Sequence, residues 1–156
     1  MSASKIRIAK DKADLVKSLA IAKETTGPFQ TYADVMVFAA ALGANRKKRV
    51  PLAEISRRDP LPIDMEIFIS RGYDTLIKLL AISETKDINI LSPNDEDADE
   101  KRIHIFEEFA NGGLEILQEE LRGAVDYSDR LLLLLISERT KKDRIEGEFD
   151  LSRFMS

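Results

Sequence analysis

The sequence predicts a mainly α protein, a compact bundle of about five helices with one short N-terminal strand. Apolar residues recur at helical spacing through most of the chain, and residues that cap helices precede several of these stretches. The hydrophobic content of 44% over 156 residues is enough for one domain with a core. We expect one helical domain over residues 1–140 and a charged tail over residues 141–156.

The first elements follow from a change of period near residue 10. Charged and aliphatic residues alternate over residues 5–10, which predicts a half-buried strand with Lys5 and Arg7 facing outward. Apolar residues then take helical spacing, which predicts a helix over residues 11–24 that is stopped by the Gly27-Pro28 pair.

A second, unusually apolar helix is predicted over residues 32–42. Thr31 offers a side-chain oxygen to the free amides at its start, Asp34 complements its positive end, and Gly43 is placed to end it. Residues 44–62 hold three prolines and little periodicity, which predicts an extended basic loop.

Two further helices are predicted after this loop. Asp64 precedes a short helix through residue 69, Gly72 breaks it, and a longer helix follows over residues 73–84. Residues 87–91 are expected to form a connector.

The longest helix is predicted to open at Ser92-Pro93, with acidic residues in its first turn, and to end near Gly123. The pair Gly112-Gly113 lies in its middle and needs a reason, because each interior glycine costs about 1 kcal/mol relative to alanine. Either the helix kinks there or another helix packs directly against its backbone. A last helix starts at Asp126 or Ser128, and its run over residues 131–136 is apolar all round and expected to be buried.

Charges are sorted along the chain. Residues 1–60 hold 12 basic and 6 acidic side chains, whereas residues 61–156 hold 12 basic and 22 acidic ones. Helix starts and exposed helix faces explain most of the acidic excess. The basic excess concentrates in the first strand and the loop, which helix chemistry does not require, so it indicates a surface for phosphates.

Catalytic signatures are missing from the sequence. The chain has no cysteine and a single histidine, His104, at a helix position expected to face solvent. The acidic run over residues 95–100 lacks the glycine and the later carboxylate of a calcium loop. We therefore expect a protein that is not an enzyme and holds no cofactor or metal. No stretch is apolar enough for a signal peptide or a bilayer span, so we expect a cytoplasmic protein without membrane contact.

Three interpretations of the basic half remain open. A strand with outward basic residues followed by two helices has the order of a ribbon-helix-helix unit, in which paired strands of a dimer enter the major groove. Alternatively, the basic loop clamps a phosphate backbone, or it is a solvated surface that pairs with the acidic half. The candidate nucleic-acid-binding residues are Lys5, Arg7, Arg46, Lys47, Lys48, Arg49, Arg57 and Arg58.

Two stretches carry a resemblance to a known family. They are GPFQT running into DVMVFAAALG over residues 27–43, and IFEEFANGGLEIL over residues 105–117. Together they resemble small bacterial proteins associated with DNA phosphorothioation (Dnd) systems, labelled associated protein 4. The likeness runs from about residue 5 to residue 138.

The resemblance implies a setting and no catalytic residues. In such systems sulfur replaces a non-bridging phosphate oxygen of DNA, and the modification is coupled to restriction of unmodified DNA. Sulfur transfer normally proceeds through thiolates, so a chain without cysteine fits an accessory role. The expected partners are duplex DNA, other proteins of the phosphorothioation system and a second copy of the chain. A protein–protein adaptor without DNA contact, or a ribbon-helix-helix transcriptional regulator, is the alternative.

Overall fold

The computed structural model of the protein describes residues 4–22 and 25–140. The chain divides into two compact units, with the division between Glu119 and Glu120. The single domain over residues 1–140 stays a prediction. The predicted tail over residues 141–156 lies outside the described residues.

The mainly α fold class is confirmed. Six α-helices and four strands of two residues each occur in the described part of the chain. The helices are α1 (Ala13–Leu19), α2 (Tyr32–Asn45), α3 (Met65–Ser70), α4 (Asp74–Thr85), α5 (Glu96–Glu120) and α6 (residues 127–140). The strands are β1 (Lys5–Ile6), β2 (Ile21–Ala22), β3 (Thr25–Thr26) and β4 (Ile63–Asp64).

The predicted N-terminal strand is confirmed, and its partner lies in the same chain. β1 pairs antiparallel with β4, with Ile6 opposite Ile63, and an antiparallel bridge joins Ala9 to Ile55. The side chains of Ile6 and Ile8 are fully buried, as the alternating pattern predicted. In a ribbon-helix-helix protein the first strand pairs with the same strand of a second copy, whereas here the ribbon is completed within one chain.

The first helix is shorter than predicted. Residues 10–12 form a 3₁₀ turn and α1 ends at Leu19, so the predicted end at residue 24 was wrong. The helix ends at Leu19 because the backbone of Phe29 takes hydrogen bonds that a longer helix would need. The Phe29 amide donates to the carbonyl of Leu19 at 3.0 Å, and the Ile21 amide donates to the carbonyl of Phe29 at 2.7 Å. β2 therefore pairs antiparallel with β3 where the predicted helix would have continued.

The start of α2 is confirmed and its predicted end was wrong. Thr31 and Asp34 form a complete capping box. The helix runs past Gly43 to Asn45, and Gly43 serves packing instead: a Cβ atom at this position would lie 2.1 Å from the carbonyl oxygen of Phe109 in α5.

Gly112 and Gly113 are explained by direct packing against the backbone. A Cβ atom at Gly113 would lie 1.7 Å from the carbonyl oxygen of Ala39 in α2, and one at Gly112 would lie 2.1 Å from the carbonyl oxygen of Lys48. Of the two predicted alternatives, a kink or close packing by another helix, the structure therefore shows close packing of α2 against the backbone of α5. The same contact fixes the basic segment after α2 against α5.

The predicted cap of the longest helix was wrong by one turn. α5 begins at Glu96, and the carboxylate of Asp95 accepts from the amides of Asp97 and Ala98 at 3.0 and 3.3 Å. Ser92 instead ends the preceding 3₁₀ turn, because its amide donates to the carbonyl of Asn89. Further along the chain, Gly72 and Gly123 take positive φ angles of 79° and 74° at breaks between helices, as predicted.

The prediction that the apolar run of α6 is buried was wrong for most of its residues. Leu131 and Leu134 are buried, at 5% and 7% exposed. The other four side chains are about half exposed: Leu132 57%, Leu133 59%, Leu135 49% and Ile136 52%. Among the described residues, no helix combines the length and apolar character needed to cross a membrane.

Candidate nucleic-acid interface

The eight predicted basic residues lie in three places, and the structure gives them different surroundings. Lys5 on β1 is exposed, and its amine lies 3.7 Å from the carboxylate of Asp64 on β4. Arg7 follows β1 and binds the carboxylate of Glu107 on α5 through two parallel hydrogen bonds, Nη2–Oε1 at 2.9 Å and Nε–Oε2 at 3.0 Å. The amide of Arg7 also donates to Oε2 at 2.6 Å.

The Arg7–Glu107 pair has a structural role. The side chain of Glu107 is 1% exposed, so its charge must be matched inside the protein. Its hydrogen bond with Arg7 is the main cause of the raised pKa of the Arg7 guanidinium. Arg7 therefore supplies the counter-charge for a buried carboxylate while 38% of its own side chain faces solvent.

Lys48 and Arg49 also face acidic partners on the same chain. The Arg49 guanidinium lies 2.7 Å from the carboxylate of Glu108 and 3.3 Å from that of Glu84. The amine of Lys48 lies 3.6 Å from the carboxylate of Glu115. Packing of the segment after α2 against α5 brings these charges together, and it shows the predicted pairing between the basic loop and the acidic half.

Arg46 and Lys47 end α2. Arg46 is half-buried at the C-terminal cap, and its amide donates to the carbonyl of Leu42. Lys47 is exposed and takes a left-handed conformation with φ of 53°. This position turns the chain from the helix into the segment that lies along α5.

Arg57 and Arg58 lie on a loop that we call the two-arginine loop, residues 56–62. The backbone is paired on both sides of it: the Ser56 amide donates to the carbonyl of Ile8 at 2.8 Å, and Ile63 pairs with Ile6. Both arginines are exposed, and neither guanidinium has an ion pair in the part of the chain that the structure describes.

Contacts inside the loop hold its shape. The buried Ser56 donates a hydrogen bond from Oγ to the carbonyl of Arg58 at 3.0 Å, and Pro60 is fully buried after a cis peptide bond. The carboxylate of Asp59 accepts from the Tyr32 hydroxyl at 3.0 Å and lies 3.9 Å from the Lys17 amine. The acidic residue of the loop is therefore engaged by other groups, and the two arginines project from a supported backbone.

A second polar cluster was missed by the sequence analysis except for its helix cap. The carboxylate of Asp34 accepts from the amide and hydroxyl of Thr31, from the Arg71 guanidinium at 2.9 and 3.1 Å, and from the Tyr73 hydroxyl. A groove of about 490 Å³ lies beside it, lined by Pro28, Phe29, Gln30, Asp34, Val37, Phe38, Ala41 and Tyr73. The Thr31–Asp34 spacing was visible in the sequence, but nothing local indicated Arg71 or Tyr73.

The Asp34 cluster acts as a clamp between the start of α2 and the α3–α4 turn. Partial burial works to raise the pKa of Asp34, but the hydrogen bonds from Tyr73, Thr31 and Arg71 outweigh it, so the pKa is lowered. The same bond to Asp34, together with burial, raises the pKa of Tyr73. A carboxylate with this many donors is a poor proton acceptor, so the geometry favours structure over acid–base chemistry.

We expect Asp34→Asn to lower the free energy of unfolding by about 2 kcal/mol at pH 7, because a helix cap and charge-assisted hydrogen bonds are lost. Since the folded pKa is lowered, the contribution of Asp34 is present above about pH 4 and is lost as the pH falls through the folded pKa. The difference from wild type, measured by urea unfolding, should therefore shrink between pH 5 and pH 2. The control is Asp14→Asn, an exposed first-turn acid of α1, and an equal loss in both variants would contradict the clamp.

No group of three or more histidine, aspartate or glutamate side chains is arranged to hold a metal ion in the described ranges, residues 4–22 and 25–140. His104 is exposed on α5, as the sequence predicted.

Comparisons with known proteins give one match. No curated protein and no solved structure matches the chain. The family model described as DNA sulphur modification system-associated protein 4 matches residues 5–154, which is nearly the whole chain, and it is the family that the stretches around Gly27 and Gly112 resembled. The chain therefore belongs to the DNA sulphur modification system-associated protein 4 family.

Proposed function

We propose that this protein is a non-enzymatic accessory component of a bacterial DNA sulphur modification and restriction system, and that it contacts DNA phosphates through the two-arginine loop. The family description supports the association with the modification system. The sorted charges of the sequence support a phosphate-binding surface in the N-terminal half.

The observation that supports this proposal most is the exposure of Arg57 and Arg58. Both guanidinium groups are exposed and have no ion pair among the described residues, and the loop beneath them is paired to β1 and to Ile8. A planar guanidinium binds phosphate oxygens through two parallel hydrogen bonds. Because the backbone is already ordered, binding would immobilise only two side chains.

The ion pairs within the chain reduce the number of predicted basic residues that are available to bind DNA. Arg7, Lys48 and Arg49 contact acidic side chains of α5, so a phosphate would compete with an existing partner at each of them. Arg57, Arg58 and Lys47 meet no such competitor in the described part of the chain. We therefore propose the loop as the main DNA contact and keep Lys5, Arg46 and Lys47 as additional candidates.

The placement of titratable groups supports a non-enzymatic role. The carboxylates of Asp34 and Glu107 are occupied by hydrogen bonds that join elements of the fold. His104 faces solvent on α5, and no side chain in the described part of the molecule forms a hydrogen bond that orients it. A general base needs such an orienting contact next to a binding site.

We expect Arg57→Ala/Arg58→Ala to bind duplex DNA on the order of 10-fold more weakly than wild type at low salt. The slope of log K against log salt concentration should fall by about 2, since each lost phosphate contact removes nearly one released counterion. Fluorescence anisotropy titrations at several salt concentrations measure both quantities. Sulfur-modified and ordinary duplexes of one sequence can be compared in the same titration.

The matched control is Lys78→Ala/Lys101→Ala, which removes the same charge from exposed positions on α4 and α5. It should keep both the affinity and the salt slope near wild type. Equal weakening in the two double variants would mean that only net charge matters, and no binding by wild type would contradict direct DNA contact.

A protein–protein adaptor without DNA contact is the second candidate. The pairing of Arg49 with Glu108 and Glu84, and of Lys48 with Glu115, favours it, because these contacts use part of the basic surface internally. Nuclease-insensitive co-purification with a protein of the modification system, unchanged by Arg57→Ala/Arg58→Ala, would favour the adaptor over the DNA contact.

A further inference from the structure

We propose that α6 is an antiparallel dimerisation helix that binds α6 of a second copy of this chain. The proposal starts from an apolar face of α6 that is exposed to solvent. On this face Leu132, Leu135 and Ile136 are each about half exposed. Val125, just before the helix, is fully exposed. Single exposed leucines are ordinary, but several on one helix face indicate a surface that is covered in the working protein.

The spacing of α6 separates two apolar faces. Residues 129, 132, 136 and 139 recur at intervals of three and four and share one face of the helix, which we call the outer stripe. The buried residues Leu131 and Leu134 lie on a different side. The helix therefore buries one face and presents the other to solvent, which explains why the run is apolar all round.

Two copies of the outer stripe are complementary when the helices run antiparallel. Positions 132 and 136 lie symmetrically about residue 134, and so do Asp129 and Arg139. An antiparallel twofold pair therefore places Leu132 against Ile136 of the other copy, and acidic Asp129 against basic Arg139. A parallel pair would instead place like charges together at both ends, which is destabilising. A twofold axis uses the same patch on both copies.

The size of the patch fits an interface between two copies. The half-exposed side chains of Leu132, Leu135 and Ile136 present on the order of 300 Å², within the range of the largest patch on a typical monomer. Twofold symmetry doubles this area, and the flanking polar residues extend it toward the roughly 1,200 Å² of small specific interfaces. The contact is independent of the DNA contact proposed above, since no residue of the two-arginine loop takes part.

The test is the mass of the full-length chain in solution, measured by light scattering and by sedimentation over a range of concentrations. We expect a dimer for wild type. Leu132→Glu/Ile136→Glu should raise the dimer dissociation constant by roughly 100-fold or more, because apolar side chains of both copies lose their burial. The matched control is Leu79→Glu on α4, which is 55% exposed, and it should remain a dimer. Far-UV circular dichroism confirms that each variant is folded.

Charge exchange tests the antiparallel direction. Asp129→Arg should weaken the dimer, and Asp129→Arg/Arg139→Asp should restore it, because the reversed pair regains opposite charges. A monomeric wild type at all concentrations would overturn the proposal, as would equal weakening by Leu79→Glu or failure of the double exchange. A monomeric wild type that sediments with anionic lipid vesicles would overturn it too and assign the patch to a lipid surface.

Discussion

Replacing Gly113 with alanine is expected to lower the free energy of unfolding by about 3 kcal/mol or more, or to prevent folding. The added Cβ atom would lie 1.7 Å from the carbonyl oxygen of Ala39 and 2.5 Å from its carbonyl carbon. Both atoms belong to the backbone of α2, so no flexible side chain can move aside. The two helices would have to separate, which would remove packing along their whole contact.

The glycines occur on both helices at this contact. A Cβ atom at Gly43 of α2 would lie 2.1 Å from the carbonyl oxygen of Phe109 and 3.0 Å from the amide of Gly113. Gly112 lies directly against the Lys48 carbonyl. The intrinsic gain in helix propensity from glycine to alanine, about 1 kcal/mol, is smaller than the expected steric loss.

Equilibrium unfolding in urea, followed by circular dichroism, measures the loss. The control is Gly72→Ala, the same chemical change in the same compact unit, at a site with no atom within 4 Å of the new Cβ atom. Its φ of 79° makes alanine strained there by about 1–2 kcal/mol. A Gly113→Ala variant that is no less stable than Gly72→Ala would contradict the close helix contact.

Local patterns in the sequence predicted most of the helices. The Thr31–Asp34 capping box, the break at Gly72 and the alternation at Ile6 and Ile8 depend on neighbours within a few residues, and the structure confirms each of them. The Gly112-Gly113 pair was recognised as a signal because glycine is unfavourable inside a helix. Its partner, Ala39, could not be named, since helix pairing depends on contacts far apart in sequence.

The errors arose where a distant segment competes with a local preference. α1 ends early because Phe29 takes its last carbonyl, and Gly43 does not end α2 because α5 requires a glycine there. The leucines of α6 illustrate a different limit. An apolar run predicts that a surface is covered, but it does not say whether the chain itself or another molecule covers it.

The sequence predicted the candidate site as a set of basic residues. It could not show which of them have a structural role and which are available to bind a ligand. Arg7 and Arg58 look alike in the sequence, yet one neutralises a buried carboxylate 100 residues away and the other has no ion pair among the described residues. The choice between a structural and a binding arginine depends on which acids the fold brings near, and that depends on tertiary packing.

Removing the charge of Arg7 is the second change with a large expected effect. Arg7→Met should lower the free energy of unfolding by about 3–5 kcal/mol at pH 7, because Glu107 would remain as a buried carboxylate without a counter-charge. Arg7 is partly exposed, so the loss comes mainly from Glu107, whose side chain is 1% exposed. Urea unfolding at fixed pH measures it.

The double variant Arg7→Met/Glu107→Gln separates lost charge balance from lost packing. The glutamine keeps an oxygen for the residue 7 amide, which donates to Glu107 at 2.6 Å, and it removes the buried charge. The double variant should therefore recover at least half of the stability that Arg7→Met loses, since replacing both partners of a buried pair is often nearly neutral. Lys10→Met, which breaks the exposed pair with Glu54 at 3.2 Å, should change stability by less than about 1 kcal/mol. A double variant as unstable as Arg7→Met would show that the arginine stem, and not its charge, stabilises this part of the fold.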